Sequence, residues 1–165
     1  MKHILKTFAL FFILTVSVVA KAQTYEFFQT RNYHNQLRLN TKTGEVYQVQ
    51  DDGGCWLVNK AITPKSVTPK RYNLYPTKNI WTFILIDTFT GKLWQTQFTV
   101  DAEGSRFSIP INEKVLSNSK RSIFEVKPML SMYQFYLINS NTGEMWKFQW
   151  TTENDESYRW IEKLR

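Results

Sequence analysis

Three Thr-Gly pairs, each embedded in the same longer pattern, constrain the fold of this chain more than any other feature. The glycines Gly44, Gly91 and Gly143 recur roughly every 50 residues, a period typical of repeat architectures. Aligned on these glycines without a gap, other positions match as well: Asn40, Asp87 and Asn139; Tyr47, Trp94 and Trp146; Gln50, Gln97 and Gln149. The sequence predicts three copies of one unit, over residues 25–70, 71–121 and 122–165.

Each unit contains four strand-like segments, which in the second unit are residues 72–75, 81–87, 92–98 and 107–111. Pro76 ends the first segment, because proline cannot donate to a central ladder. Asp87 is expected to cap the turn after the second segment through an Asx-type bond, and Gly91 to take a positive φ. Residues 57–62 and 158–164 could each form a turn of helix, but the repeat assigns both to fourth strands. We therefore expect an all-β fold.

The second strand differs between units on one side only, since alternate residues share a face. One side is apolar in every unit and is expected to face the core: Leu37 and Leu39, Ile84 and Ile86, Tyr136 and Ile138. The other side carries Trp81, Phe83 and Leu85 in the second unit and Tyr133, Phe135 and Leu137 in the third. In the first unit the same positions are His34, Gln36 and Arg38. The second and third units must bury both sides or expose an apolar patch, whereas the first presents a polar stripe.

Three units of this kind suggest a closed, pseudo-threefold assembly. A β-trefoil closes with three units, whereas a β-propeller typically has about four to eight blades. The first strands are bulky, with Tyr25, Phe27 and Tyr72, although innermost propeller strands crowd an axis. The expected fold is therefore all-β with three pseudo-symmetric four-stranded repeats, β-trefoil-like or small propeller-like, and the bulky strands favour the trefoil.

The beginning of the chain has the features of a secretory signal. Lys2 and Lys6 precede an apolar run over residues 8–20, and Ala20-Lys21-Ala22 supplies a cleavage pattern. The run of about 13 residues is too short to span a bilayer, which needs about 20; an uncleaved anchor is the alternative. We expect a signal peptide over residues 1–22 and a single all-β domain over residues 23–165. The protein would then be periplasmic or extracellular, with no membrane span after cleavage.

The charge and the cysteine content exclude some partners. The formal net charge is +7, but three lysines leave with the signal peptide and the other basic residues are scattered. Nucleic-acid binding needs a clustered basic surface, so no nucleic-acid partner is expected. The single cysteine, Cys55, cannot form an internal disulfide and is expected to be a buried structural thiol.

The sequence is poorly equipped for catalysis. Beyond residue 22 it has one histidine, His34, and one cysteine, which is too few for a zinc site. Phosphate-binding loops, dinucleotide glycine patterns and nucleophile elbows are absent from the sequence. We therefore expect no metal, no cofactor and no enzymatic activity.

Two repeated polar features follow the third strands. Paired carboxylates could hydrolyse a glycosidic bond or bind calcium, although solvation of a loop explains them equally: Asp51 and Asp52, Asp101 and Glu103, Glu153 and Asp155. Glutamines occupy one side of each third strand: Gln50, Gln97 and Gln149, preceded at two residues by Gln48, Gln95 and Lys147. Glutamines that bond a neighbouring unit's backbone are expected, and a polar platform for a sugar or peptide is the alternative.

Three segments of the sequence resemble known groups of proteins. LIDTFTGKLW, residues 85–94, resembles the blade motif of quinoprotein-type β-propellers. YLINSNTGEMW, residues 136–146, is similar to the first hairpin of ricin-type β-trefoil lectin repeats. The whole unit, residues 71–98, resembles a group of secreted bacterial repeat proteins of unknown function, which implies nothing about activity.

Three functions remain open. The first is a non-catalytic recognition module that binds a glycan or a protein at the cell envelope through Tyr33, His34, Gln36 and Arg38. The second is a protein inhibitor or assembly factor that presents Trp81, Phe83 and Leu85 to a partner. The third is a hydrolase that uses the loop carboxylates.

Overall fold

The computed structural model describes residues 24–100, 105–117, 119, 122–153 and 155–165, so the expected signal peptide lies outside the described residues. Within them, twelve strands form three separate four-stranded antiparallel sheets. The first sheet comprises β1 (Tyr25–Gln29), β2 (Asn35–Asn40), β3 (Val46–Gln50) and β4 (Cys55–Asn59). The second comprises β5 (Tyr72–Pro76), β6 (Thr82–Asp87), β7 (Leu93–Gln97) and β8 (Phe107–Asn112). The third comprises β9 (Phe124–Pro128), β10 (Gln134–Asn139), β11 (Met145–Gln149) and β12 (Trp160–Lys163).

In each sheet the strands are adjacent in chain order, which confirms the all-β prediction and the three four-stranded units. The segments that could have been helical, residues 57–62 and 158–164, contribute to β4 and β12. A short 3₁₀ helix, Glu156–Tyr158, precedes β12.

The repeated turn has the expected geometry in all three units. The Asp87 carboxylate accepts a hydrogen bond from the Phe89 N–H at 3.1 Å. The Gly91 N–H donates to the Asp87 carbonyl at 2.9 Å, and Gly91 has a φ of 75°. Asn40 and Asn139 cap the equivalent turns at 3.1 Å. Asp87 also pairs with the Arg71 guanidinium at 2.7 Å, and this hydrogen bond raises the pKa of Arg71.

The buried apolar side chains form two layers between successive sheets. We call the side of a sheet that carries Gln36 and Arg38, or their equivalents, the front face, and the opposite side the back face. The first layer joins the back of the first sheet, including Leu37 and Leu39, to the front of the second. The second layer joins the back of the second sheet to the front of the third.

The second sheet is therefore buried on both faces, and every residue of β6 is buried. The prediction that Tyr136 and Ile138 face the core is wrong, because they are only partly buried on the back of the third sheet. The core face of β10 is the opposite one, with Phe135 and Leu137. Period-two alternation identified the two faces of this strand, but a face becomes core only where another sheet covers it.

Candidate functional site

The structure brings the four predicted binding residues, Tyr33, His34, Gln36 and Arg38, to the front of the first sheet and its adjoining turn. Tyr33 is 80% exposed, and its ring centroid lies 4.0 Å from that of His34. On β2, Gln36 donates to the Gln29 side chain at 3.1 Å. We call this surface, defined by Tyr25, Phe27, Gln36, Arg38 and Tyr47, the open front face.

Arg38 lies at the centre of the open front face between two aromatic rings. Its guanidinium carbon is 5.6 Å from the Tyr25 ring centroid and 4.8 Å from that of Tyr47. These rings come from the flanking strands, since Arg38 pairs with Phe27 of β1 and with Tyr47 of β3. The buried Nε atom of Arg38 has no hydrogen-bond partner among the described residues. The rings orient a cation whose donors remain available to a ligand.

At the edge of the open front face, His34 and Asp51 occupy two positions that hold a pair of aromatic residues in the second and third units. All three units share one backbone hydrogen bond of 3.0–3.1 Å. The N–H of residue 51 donates to the carbonyl of residue 34, the N–H of residue 98 to that of residue 81, and the N–H of residue 150 to that of residue 133. This backbone bond holds Trp81 against Phe98 at 5.4 Å and Tyr133 against Trp150 at 5.1 Å. In the first unit it instead brings His34 Nδ1 to 2.5 Å from the Asp51 carboxylate. The same backbone thus carries a polar, half-exposed pair at a place that no sheet of the described residues covers.

Large apolar side chains share the open front face with these polar groups. Phe27 is 56% exposed, Tyr25 45% and, on β4, Leu57 40%. Cys55 is also exposed, so the prediction of a buried thiol is wrong: it pairs with Val49 on this uncovered face. Tyr47 is likewise only partly buried, whereas Trp94 and Trp146 are core residues. The surface therefore mixes exposed rings with planar polar groups.

Of the alternative interface residues, Phe83 and Leu85 lie inside the molecule and Trp81 is partly buried. Phe83 and Leu85 are buried in the layer between the first and second sheets, and Trp81 packs at its edge. The back of the first sheet covers Phe83 and Leu85, whereas Trp81 remains partly accessible at the edge of the layer.

The loop carboxylates have local roles where the structure describes them. Asp52 accepts from the Gly54 N–H at 2.8 Å. Asp155 caps the 3₁₀ helix by accepting from the Ser157 N–H at 2.8 Å, which lowers the pKa of Asp155. Asp101 and Glu103 lie outside the described residues. Elsewhere, the described residues hold no group of three or more His, Cys, Asp or Glu side chains suited to a metal ion.

Two of the repeated glutamines clamp the following unit. Gln48 donates to the Thr99 carbonyl at 2.8 Å. At the equivalent position Gln95 donates to the Thr151 carbonyl at 2.8 Å and accepts from the Thr151 N–H at 3.3 Å. The bond to a neighbouring unit's backbone is thus made by this pair, and not by Gln50 or Gln97. Lys147, the third-unit equivalent, instead contacts the Trp160 ring at 5.4 Å.

Sequence reasoning missed the aromatic part of the open front face. The alignment with Trp94 and Trp146 favours a core position for Tyr47, and the bulk of Tyr25 and Phe27 does not indicate that they are exposed. The polar stripe was the available signal, since residues opposite Gln36 and Arg38 on β1 and β3 must share their exposure.

Comparison of this chain with known proteins finds no relative. No family model, no curated protein and no solved structure matches this chain. In the described part of the chain, no helix has the length and hydropathy that a membrane-spanning helix requires.

Proposed function

We propose that this protein is an exported, non-catalytic recognition module that binds a glycan or a protein at the cell envelope through its open front face. One observation carries the proposal: Arg38 is held between the Tyr25 and Tyr47 rings with a buried Nε atom that no described residue satisfies. The covered Nε atom cannot itself meet a ligand, but Arg38 is only partly buried, so the other N–H groups of its guanidinium can donate to a bound acceptor.

The composition of the face supports a glycan as the first choice of ligand. Exposed rings such as Phe27 offer flat apolar surfaces to the C–H faces of a sugar. Gln36 and Arg38 offer planar hydrogen-bonding groups that match hydroxyls. A binding surface needs this combination of apolar area and a few oriented polar groups.

We also propose a propeller-like arrangement of the units. Each sheet follows chain order and packs front to back on its neighbour, as successive propeller blades do, whereas a trefoil would share one barrel core. This order supports the recognition role, because it leaves the front of the first sheet uncovered by another unit.

The test is a glycan and envelope-component binding array with the purified protein. We expect a specific ligand whose binding is lost in Arg38→Ala and kept in Lys147→Ala, a cationic control on the back of the third sheet. A ligand that binds both variants equally would place the site elsewhere.

A protein partner is the second candidate, because Phe27 and Leu57 expose apolar area on the same face. Its test is capture from an envelope fraction, compared between the wild-type protein and Phe27→Ser. Retention of every captured protein by Phe27→Ser would contradict a protein interface here.

A further inference from the structure

A polar groove with a cavity volume of about 490 Å³ runs between the second and third sheets. It is distinct from the open front face, which belongs to the first sheet. Its volume lies within the range of about 300–1,000 Å³ found for small-molecule sites. Six side chains give the groove its chemistry: Asn79, Trp81, Gln97, Phe107, Glu153 and Arg159.

The wall of the groove is held by the Gln95 clamp. Gln95 bonds both the N–H and the carbonyl of Thr151, and the Thr151 hydroxyl accepts from the Glu153 N–H at 2.9 Å. The loop that carries Glu153 is therefore fixed against the second sheet. On the opposite wall, Gln97 pairs with Phe107 across β7 and β8, which places an amide beside a ring.

Arg159 is the residue that distinguishes this groove from the interface between the first two sheets. Arg159 immediately precedes β12, and Arg106 immediately precedes β8, in the same register with the third strand of its sheet. Arg106 has a structural role, since its guanidinium donates to Gln48 Oε1 at 2.8 Å and to the Thr99 carbonyl at 3.3 Å. At the other interface Gln95 Oε1 accepts from the Thr151 N–H instead, and Arg159 makes no hydrogen bond to Gln95 among the described residues.

The Arg159 side chain is only 9% exposed, yet its one ionic contact is to Glu156 at 3.4 Å, and that carboxylate is 91% exposed. Among the described residues no hydrogen bond of normal geometry satisfies its guanidinium. An arginine has five N–H donors in a rigid fork. A nearly buried fork at the wall of a groove therefore keeps donors for a ligand.

We propose that this groove binds an uncharged sugar residue. The Trp81 and Phe107 rings supply apolar surfaces for its C–H groups. The Asn79 and Gln97 amides, together with Glu153 and Arg159, supply donors and acceptors for its hydroxyls, and hydrogen bonds to charged groups are the stronger ones. Opposite charges within the groove disfavour a purely anionic or cationic ligand, because one of the two would repel it.

The experiment is titration of the purified full chain with neutral hexoses, N-acetylhexosamines and their disaccharides, followed by tryptophan fluorescence and calorimetry. We expect binding of at least one neutral sugar, weakened at least tenfold in both Arg159→Ala and Gln97→Ala. The Lys147→Ala variant, on the back of the third sheet, should bind as the wild type does. A sugar whose binding is weakened by Arg38→Ala and not by Arg159→Ala would occupy the open front face instead, so the two sites are distinguishable. Thermal unfolding shows whether each variant is folded.

Three results would overturn the proposal. The first is that no neutral sugar binds the folded wild-type protein. The second is that Gln97→Ala, which removes a partly buried amide that makes no hydrogen bond among the described residues, binds the sugar as tightly as the wild type. The third is that a free amino acid or a uronic acid, added as a charged probe, binds at the groove more tightly than every neutral sugar.

Discussion

The front faces of the first and second sheets have the same backbone geometry but opposite surroundings. In the second sheet Phe83 and Leu85 are buried against the first sheet. In the first sheet the equivalent Gln36 and Arg38 face outward among exposed rings. Strand pairing and the capped turn are the same in both, so they do not depend on which face is covered.

The comparison teaches that the repeat contains two separable sets of positions. The turn and backbone positions are filled alike in every unit and build the sheet. The front-face positions are apolar where another described sheet covers them and polar in the first sheet, where none does. Rings such as Phe27 exceed what solubility alone requires, which is why the first front face is read as a binding surface.

The largest expected effect comes from exchanging residues between the two front faces. Leu85→Arg should destabilise the protein by about 4 kcal/mol or more, because it buries an unpaired charge. Arg38→Leu should cost less than about 1 kcal/mol, since the site is at the surface. Urea unfolding followed by tryptophan fluorescence measures both. Equal losses in the two variants would show that the first front face is covered in solution.

The aromatic pair gives the next largest effect. Trp150→Ala should cost about 3–5 kcal/mol, as truncations of buried aromatic residues do. Asp51→Ala, at the equivalent position, should cost less than about 1 kcal/mol because an exposed ion pair contributes little. The same unfolding measurement applies. A large loss in Asp51→Ala would mean that the His34–Asp51 pair is structural.

Local features could be predicted from the sequence, whereas the neighbours of each sheet could not. β6 was expected over residues 81–87 and observed as Thr82–Asp87, and the Asx cap of Asp87 was expected from spacing alone. Tyr136 and Cys55 were misassigned because alternation shows that a strand has two faces without showing what lies against each. The apolar residues on both faces of β6 left two outcomes open, burial of both faces or an exposed apolar patch, and the structure shows the first because a neighbouring sheet covers each face.

The candidate sites likewise divide into one whose polar residues the sequence predicts and one that the sequence does not predict. The polar residues of the open front face could be found by comparing units, since Gln36 and Arg38 break an apolar pattern. The groove could not, because it depends on which donor the Oε1 atom of each clamping glutamine accepts from. Gln48 Oε1 accepts from Arg106, whereas Gln95 Oε1 accepts from the Thr151 N–H. The sequence does not show this difference, because both aligned positions are glutamine.

The glutamine clamp distinguishes the first and second units, which have Gln48 and Gln95, from the third, which has Lys147 at the equivalent position. Gln95→Ala should cost about 1–3 kcal/mol, because it leaves the buried backbone groups of Thr151 without partners. Lys147→Ala, at the equivalent position of the third sheet, should change the stability by less than about 0.5 kcal/mol. Denaturant midpoints of the two variants provide the check. A comparable loss in Lys147→Ala would indicate that another chain covers the back of the third sheet.

Arg38→Lys is expected to change the stability only slightly, and it is the variant that best tests the role of Arg38. Arg38→Lys keeps the charge between Tyr25 and Tyr47 but removes the planar fork, so the free energy of unfolding should fall by less than about 1 kcal/mol, the range of exposed cation–π contacts. Binding of a ligand at the open front face should nevertheless weaken about tenfold, since one ammonium cannot replace the hydrogen-bond geometry of a guanidinium. If stability and binding fell in proportion, Arg38 would be holding the strands together. If binding fell alone, the two rings would be orienting Arg38 for a ligand, and the difference between the first and second front faces would be functional.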